Sequence, residues 1–140
     1  MPTDVRRIAT DSVDPTAKNY HWGDFTQGLI TAKETGFDNT LLLDADGLVT
    51  EGPGFNVFMV KDGVVRTPRK GVLGGITRKV AMEIAMFHGL AMEEVDIPLA
   101  EFSNGAIGPL TKQMRQTYWD WHKDRAMSEP VRYEGRVQPA

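Results

Sequence analysis

The sequence predicts an α/β (α+β) fold with a mixed or antiparallel sheet and helices packed around it. Two apolar, β-branched stretches each contain an Asp-Gly turn, which is the strongest short-range signal for a β-hairpin. Helical patterns precede and follow these stretches, without the regular strand–helix alternation of a doubly wound sheet. The 140 residues are enough for one domain with a hydrophobic core.

The first half of the chain contains a helix followed by the two hairpins. Residues 1–15 hold turn residues and a little β-prone sequence, which indicates a lead-in strand or a linker. The hairpins are predicted in residues 39–52 and 55–68. A helix is predicted from about Asn19 to Gly36, because apolar residues recur there at three- and four-residue steps, namely Trp22, Phe25, Leu29 and Ala32.

The second half is predicted to contain a helix, a strand and a last helix. Residues 75–89 form a helical pattern that ends at a glycine, and residues 91–99 alternate like a strand. The apolar stripe of the first of these helices is Val80, Ile84 and Phe87. The last helix is predicted to start at Pro109, with an apolar stripe at Leu110, Met114, Tyr118 and Trp121.

Composition limits the classes of partner. Hydrophobic and charged fractions of 41% and 25% are those of a soluble globular protein, and a net charge of -3 gives no reason to expect nucleic acid or an anionic membrane. The chain has no long apolar run, and the absence of cysteine excludes disulfides and thiolate metal sites. The three histidines have no metal-like spacing. We therefore expect a cytoplasmic protein with no metal, nucleic acid or membrane partner.

The glycine-rich stretch "GVLGGITRKVAMEIA", residues 71–85, is a candidate anion site. A helix beginning near Ile76 would present unpaired N–H groups and the positive end of its dipole, and Thr77 could add a hydroxyl donor. The Gly-Lys-Ser/Thr of a Walker A loop is missing. The alternative interpretation is a plain strand-to-helix turn that Thr77 caps.

Glu51 interrupts a strand pattern in "TEGPGFNVF", residues 50–58. Strands disfavour glutamate, and Gly-Pro-Gly between two β runs indicates a bulge or a backbone that approaches something closely. The apolar neighbours Phe55, Val57 and Phe58 favour burial, and a buried glutamate needs a positive partner or its pKa rises. The alternative is a solvated turn residue.

Lys18 precedes an aromatic helix start in "AKNYHWGD", residues 17–24. If Tyr20, His21 and Trp22 partly desolvate this lysine, it is a usable amine nucleophile. The alternative is a solvent-facing lysine, as most lysines are.

Taken in order, these motifs resemble those of the class IV (fold type IV) pyridoxal-phosphate (PLP) aminotransferases, the branched-chain and D-amino acid transaminase group. The greatest likeness is to the (R)-selective amine transaminases. The matching words are "AKNYHWGD", "LLLDADGLVTEGPGFNVFMVKDG", "RTPRKGVLGGITRK" and "GAIGPLTK", and they run in family order across nearly the whole chain.

The resemblance implies a role for each candidate residue. Lys18 matches the lysine that bonds to the cofactor aldehyde and later moves a proton between substrate and cofactor carbons. Glu51 matches the carboxylate that pairs with the protonated pyridine nitrogen. The other positions that match cofactor-binding residues are Asn56, Leu73 at the ring, and Ile76 and Thr77 at the phosphate.

The resemblance also implies the domain organisation. Residues 1–140 correspond to the large C-terminal PLP-binding domain, and this domain is incomplete. The family's N-terminal domain, which supplies a phosphate-contacting arginine, is expected to be absent. An internal deletion is expected near residues 103–105, because "SNGAIGPLTK" directly follows "DIPLAEF".

The implied function is transamination between an amine or amino acid and a ketone or keto acid, in a homodimer. Two alternatives stay open at this point. One is a fold type IV lyase, similar to aminodeoxychorismate lyase, that uses the same lysine for β-elimination. The other is a truncated, non-catalytic remnant.

Overall fold

The computed structural model describes residues 2–103, 116, 117 and 120, and it divides the chain into units of residues 1–107 and 108–140. In the second unit the side-chain amide of Gln116 donates a hydrogen bond to Asp120 at 2.9 Å, a typical i,i+4 helix pair. Most of the helix predicted from Pro109, and most of the expected deletion at 103–105, lie outside the described residues.

The first unit alternates strands and helices in an irregular order. A strand and a helix come first, three strands and a helix follow, and a strand and a short helix close the unit. The elements are β1 (Pro2–Arg6), α1 (Gly23–Glu34), β2 (Leu41–Leu43), β3 (Met59–Lys61), β4 (Val64–Pro68), α2 (Ile76–Phe87), β5 (Ala91–Val95) and α3 (Leu99–Phe102).

The sheets are mixed, which confirms the predicted fold class. β1 and β2 pair in parallel, with Arg6 opposite Leu43. β3 and β4 pair antiparallel, and β4 and β5 pair in parallel with Val64 opposite Ala91. Helix α2 makes the crossover that a parallel pair requires.

Both predicted hairpins are present. In the second, Asp62 and Gly63 have φ angles of 53° and 76°, the positive values of a two-residue type I′ turn. In the first, the Asp44 N–H donates to the Leu48 carbonyl at 2.9 Å across a three-residue loop whose Gly47 has φ 79°. A glycine at this left-handed position is characteristic of three-residue hairpin loops.

The core lies where the first hairpin packs against the segment between β5 and α3. The Val49 N–H donates to the Ile97 carbonyl at 2.8 Å and joins the two regions. Each fully buried aliphatic side chain here contributes about 1.5–3 kcal/mol of transfer free energy. The buried cluster is Leu41, Leu43, Val49, Met59 and Ile97. Glu51 lies two residues after Val49 of this cluster, so the core determines where its carboxylate lies.

Helix α1 starts later than predicted, at Gly23 instead of about Asn19. The Asn19 amide nitrogen donates to the Ala17 carbonyl at 2.9 Å, and its oxygen accepts the His21 N–H at 2.9 Å. Such local side-chain bonds give the backbone an alternative to the helix, which explains the delayed start.

The predicted apolar stripe of α2 is partly wrong. Ile84 is buried, but Phe87 is 68% exposed. The buried face of the helix consists of Ile84, Ala85 and the arginine Arg78. Phe87 is the last residue of the helix, where its side chain extends beyond the packed face.

Substitution of Gly71 by alanine tests the packing behind the glycine-rich turn. Gly71 has φ 68°, and an added Cβ would lie 2.8 Å from Cγ2 of Thr50, which is buried and bonded to the Leu42 carbonyl. We expect Gly71→Ala to lower the free energy of unfolding by about 2–4 kcal/mol, from backbone strain plus overpacking. The measurement is urea denaturation.

Gly36→Ala is the matched control for this substitution. Gly36 has φ 84° and open space around the added Cβ, so only the backbone cost of about 1–2 kcal/mol applies. Equal losses in the two variants would show that the contact with Thr50 has no energetic weight.

Candidate active site

All six candidate residues line one cleft with a volume of about 600 Å³. They come from three segments that are distant in sequence: the loop before α1, the turn after the first hairpin, and the turn that leads into α2. The residues are Lys18, Glu51, Asn56, Leu73, Ile76 and Thr77. The fold thus gathers every chemistry-bearing residue that the sequence indicated.

Glu51 is a buried residue of this cleft, with 5% of its surface exposed. Its Oε2 accepts the Leu73 backbone N–H at 2.9 Å and the Asn56 Nδ2 at 3.1 Å. Its Oε1 accepts Nη2 of Arg7 at 3.3 Å. The expected burial of Glu51 is therefore confirmed, and the positive partner that burial required is Arg7.

Burial raises the pKa of Glu51 above its usual value of 4.5, because desolvation penalises the charged form. The Leu73 N–H and the Arg7 guanidinium act in the opposite direction and stabilise the carboxylate, while the negative charge of Asp24 raises the pKa further. Desolvation outweighs the donors. Glu51 consequently gains from any further cation or N–H donor that enters the cleft.

Arg7 is a residue of the cleft that no motif in the sequence indicated. Its Nη1 donates to Oδ2 of Asp24 at 2.6 Å, and the same oxygen accepts the Ile8 N–H at 2.8 Å. The guanidinium carbon lies 4.2 Å from the centre of the Phe25 ring, a cation–π distance. The only signal in the sequence was that a buried Glu51 needs a cation, and nothing distinguished Arg7 from the other arginines.

The glycine-rich turn leads into α2 as predicted, and the helix begins at Ile76. Its N-cap is Gly75, with no side-chain cap, so the interpretation of Thr77 as a cap is wrong. The first N–H groups of a helix have no intrahelical partner, and the positive end of the dipole lies beside them. A Cβ added at Gly74 would meet nothing within 4 Å, so there is open space in front of this helix end.

Asn56 fixes the shape of the turn. Its Nδ2 donates both to Glu51 and to the Leu73 carbonyl, at 3.1 Å each. The same carbonyl accepts the Gly75 N–H at 2.8 Å. The carboxylate and the start of α2 are thereby connected through Leu73, whose side chain also lines the cleft.

Lys18 lies at the mouth of the cleft and is exposed. Of the two alternatives for Lys18, the solvent-facing lysine is the one that the structure shows, since Tyr20 is fully exposed and His21 and Trp22 are also on the surface. The backbone on either side is held by the Asn19 side chain, as described above. The backbone around Lys18 is therefore fixed, while its side-chain amine is accessible to solvent.

Two other properties of the described residues bear on function. They include no group of three or more His, Asp and Glu side chains arranged to hold a metal ion. None of the helices in the part of the chain that the structure describes is both long and apolar enough to cross a membrane.

Comparisons with known proteins give a consistent result. Residues 2–107 match the family model "Amino-transferase class IV". The branched-chain-amino-acid aminotransferase of Pseudomonas aeruginosa is 31% identical over 112 residues, a match that covers 61% of this chain and 36% of that protein.

Solved structures agree with this match. The branched-chain amino acid aminotransferase of Thermobaculum terrenum in its PLP form superposes with a TM-score of 0.81 at 25% identity, covering 90% of this chain and 52% of that one. The enzyme of Thermoproteus uzoniensis with norvaline gives 0.81 at 27% identity, covering 91% and 51%. The chain spans about a third to a half of the length of these relatives.

The raised pKa of Glu51 predicts a specific pH dependence of stability. The folded chain binds this proton more tightly than the unfolded chain, so the stabilisation by protonated Glu51 is present below pH 4.5 and is lost as the pH rises through the folded-state value. Relative to Glu51→Gln, the native chain should lose unfolding free energy across this window, by at most about 1.4 kcal/mol per pH unit.

The measurement is urea denaturation of both chains at a series of pH values. Glu34→Gln, at an exposed position of α1, controls for the loss of one negative charge. A difference between the native chain and Glu51→Gln that is constant or grows with pH would contradict the assignment.

Proposed function

We propose, because this chain belongs to the class IV aminotransferase family, that it is the cofactor-binding part of a PLP-dependent transaminase. The reaction is amino-group transfer between an amino acid or amine and a keto acid or ketone. The observation that carries the proposal is the single cleft that holds a free lysine amine, a buried carboxylate and an uncapped helix N-terminus.

The carboxylate fits the protonated ring nitrogen of PLP. Oε1 of Glu51 accepts one hydrogen bond, from Arg7 at 3.3 Å, and a carboxylate oxygen can accept more. Because burial makes the ionised carboxylate costly, a cationic N–H in the cleft offsets that cost. A carboxylate at this place keeps the ring nitrogen protonated, as electron withdrawal by the ring requires.

The start of α2 fits the phosphate of the cofactor. Unpaired backbone N–H groups and the helix dipole favour a dianion, and the Thr77 hydroxyl lines the same cleft. The open space at Gly74 leaves room for phosphate oxygens next to the backbone. Ile76 supplies one of these N–H groups at the first helical position.

Lys18 fits the aldehyde end. When bound, PLP supplies an electron sink that stabilises negative charge on the substrate carbon. In our proposal Nζ of Lys18 would hold the aldehyde end of the cofactor and would move the proton at the substrate carbon. The Leu73 side chain would pack on the ring, and Asn56 keeps Glu51 in place.

Transamination is preferred to the lyase alternative because the relatives described above are aminotransferases. Their names favour branched-chain amino acids as amino donors. The homodimer, the cytoplasmic location, the (R)-selective likeness and the assignment of residues 1–140 to an incomplete C-terminal domain stay predictions.

The bond to Lys18 has a direct spectroscopic test. PLP added to the 140-residue chain should give the shifted visible absorbance band of a lysine-bound cofactor, and borohydride should fix the label on the peptide that contains Lys18. Lys18→Ala should abolish both signals, whereas Lys33→Ala, an exposed lysine of α1, should retain them.

A band of equal strength in Lys18→Ala would show that another lysine holds the aldehyde. A folded native chain with no band at all would favour the non-catalytic remnant.

The phosphate site is tested by Thr77→Val, which removes the hydroxyl and keeps the side-chain shape. A hydrogen bond to a charged group contributes about 1.5–3 kcal/mol, so the Kd for PLP should rise by about 10- to 100-fold. Thr26→Val, an exposed threonine of α1 outside the cleft, is the control. Fluorescence titration with PLP measures the Kd of both variants. Equal Kd values for Thr77→Val and the native chain would place the phosphate elsewhere.

A further inference from the structure

We propose that Arg7 is a positioning residue that orients the Glu51 carboxylate toward the cleft, and that Asp24 is the anchor that holds Arg7. The inference rests on the proposed function, because it names how the chain prepares Glu51 for a cationic ring nitrogen. Arg7 itself acts through Glu51.

The geometry restrains Arg7 on three sides. Its Nη1 donates to Asp24 at 2.6 Å and its Nη2 donates to Glu51 at 3.3 Å. The guanidinium lies over the face of Phe25. Because the guanidinium is planar with its donors in a fixed fork, fixing one branch on Asp24 also fixes the direction of the other branch. The position of Glu51 Oε1 is therefore determined by Arg7, which follows β1, and by Asp24 of α1, both outside its own hairpin.

The distances show which bond is the anchor. The bond to Asp24 is short and charge-assisted, and the Asp24 oxygen that accepts it also accepts the Ile8 N–H at 2.8 Å. The bond to Glu51 is the longer of the two. Arg7 is thus held mainly by Asp24, and Glu51 Oε1 is left able to form a stronger bond with a ligand.

The charges of the three residues leave one negative charge unbalanced. Their side chains are all largely buried, with exposed fractions of 5% for Arg7, 10% for Asp24 and 7% for Glu51. Two carboxylates and one guanidinium sum to a single negative charge. The other donors to Glu51, the Leu73 N–H and the Asn56 amide, are neutral.

The other charged groups of the cleft leave this balance unchanged. Lys18 is exposed at the mouth, and the guanidinium of Arg78 pairs with Glu94. A ligand that brings one positive charge to Glu51 therefore completes a neutral, buried cluster. A protonated pyridine nitrogen brings that charge, whereas a neutral ring leaves the excess uncompensated.

This arrangement predicts opposite effects for the two partners of Arg7. The charge of Asp24 raises the pKa of Glu51, and the charge and hydrogen bond of Arg7 lower it. Removal of the Asp24 charge should thus favour the ionised carboxylate, and removal of the Arg7 charge should favour its protonated form. A purely structural role predicts that both changes loosen the site. Both would then move the pKa of the Glu51 carboxylate in the same direction, toward the usual glutamate value.

The test is a pH titration of the Glu51 side-chain carboxyl carbon by NMR in the 140-residue chain without cofactor. We expect the midpoint to fall in Asp24→Asn, which keeps the acceptor for Arg7, and to rise in Arg7→Met, which keeps the apolar stem. If Arg7→Met does not fold, Asp24→Asn and the double variant Arg7→Met/Asp24→Asn still decide the question. Shifts in the same direction, or an unchanged midpoint in Asp24→Asn, would overturn the proposal.

A second titration, with ¹⁵N-labelled PLP, separates this proposal from the proposed function. The ring nitrogen should be protonated at neutral pH in the native chain and should lose that proton at lower pH in Arg7→Lys, which keeps the positive charge but lacks the second branch of the guanidinium fork. A native chain that does not bind PLP contradicts the proposed function, while the first titration still decides the role of Arg7. An unchanged pKa of the ring nitrogen in Arg7→Lys, with PLP bound, contradicts the role of Arg7 alone.

Discussion

The burial of one carboxylate is the constraint on which the rest of the site depends. Glu51 lies at the end of the first hairpin, against the hydrophobic core, where an ionised group is costly without partners. Its three donors come from the residue that follows β1, from the turn after the hairpin and from the turn before α2. Each of these segments is fixed in part by its bond to Glu51. The loss of the carboxylate would therefore leave buried donors on Arg7, Asn56 and Leu73 without an acceptor.

The fold meets this constraint with short strands and tight turns. The bond between Leu42 and Glu51 closes the hairpin, and the bond between Val49 and Ile97 holds it against the remainder of the unit. The parallel pairing of β4 and β5 places α2 so that its N-terminus opens on the same cleft. The cleft thus has a carboxylate on one side and a helix dipole on the other, which suits a ligand with a cationic ring and an anionic arm.

Several residues of the site could be predicted from the sequence because their chemistry is local. A glycine-rich turn before an apolar helix predicts where the helix starts, and α2 begins at Ile76 as expected. A glutamate in an apolar β stretch predicts burial, and Glu51 is buried. Pairs of residues that are distant in the sequence could not be predicted in this way. Arg7 and Asp24 are 44 and 27 positions from Glu51, and no periodicity connects residues so far apart. The exposure of Phe87 was missed for the same reason, because burial depends on which elements pack together.

The sequence by itself determined the two Asp-Gly hairpins, the helix at Ile76 and the mixed character of the fold, which follow from backbone preferences and from side-chain periods that act over a few neighbours. It also indicated Lys18, Glu51 and Thr77 by their local chemistry, whereas Asn56 and Leu73 were candidates only through the family resemblance. Only the tertiary structure decided that the six residues share one cleft, that the partner of Glu51 is Arg7, and that Arg7 is held by Asp24 and Phe25. The physical reason is that electrostatic pairing and burial depend on distances in space, and the packing of the strands and helices sets those distances.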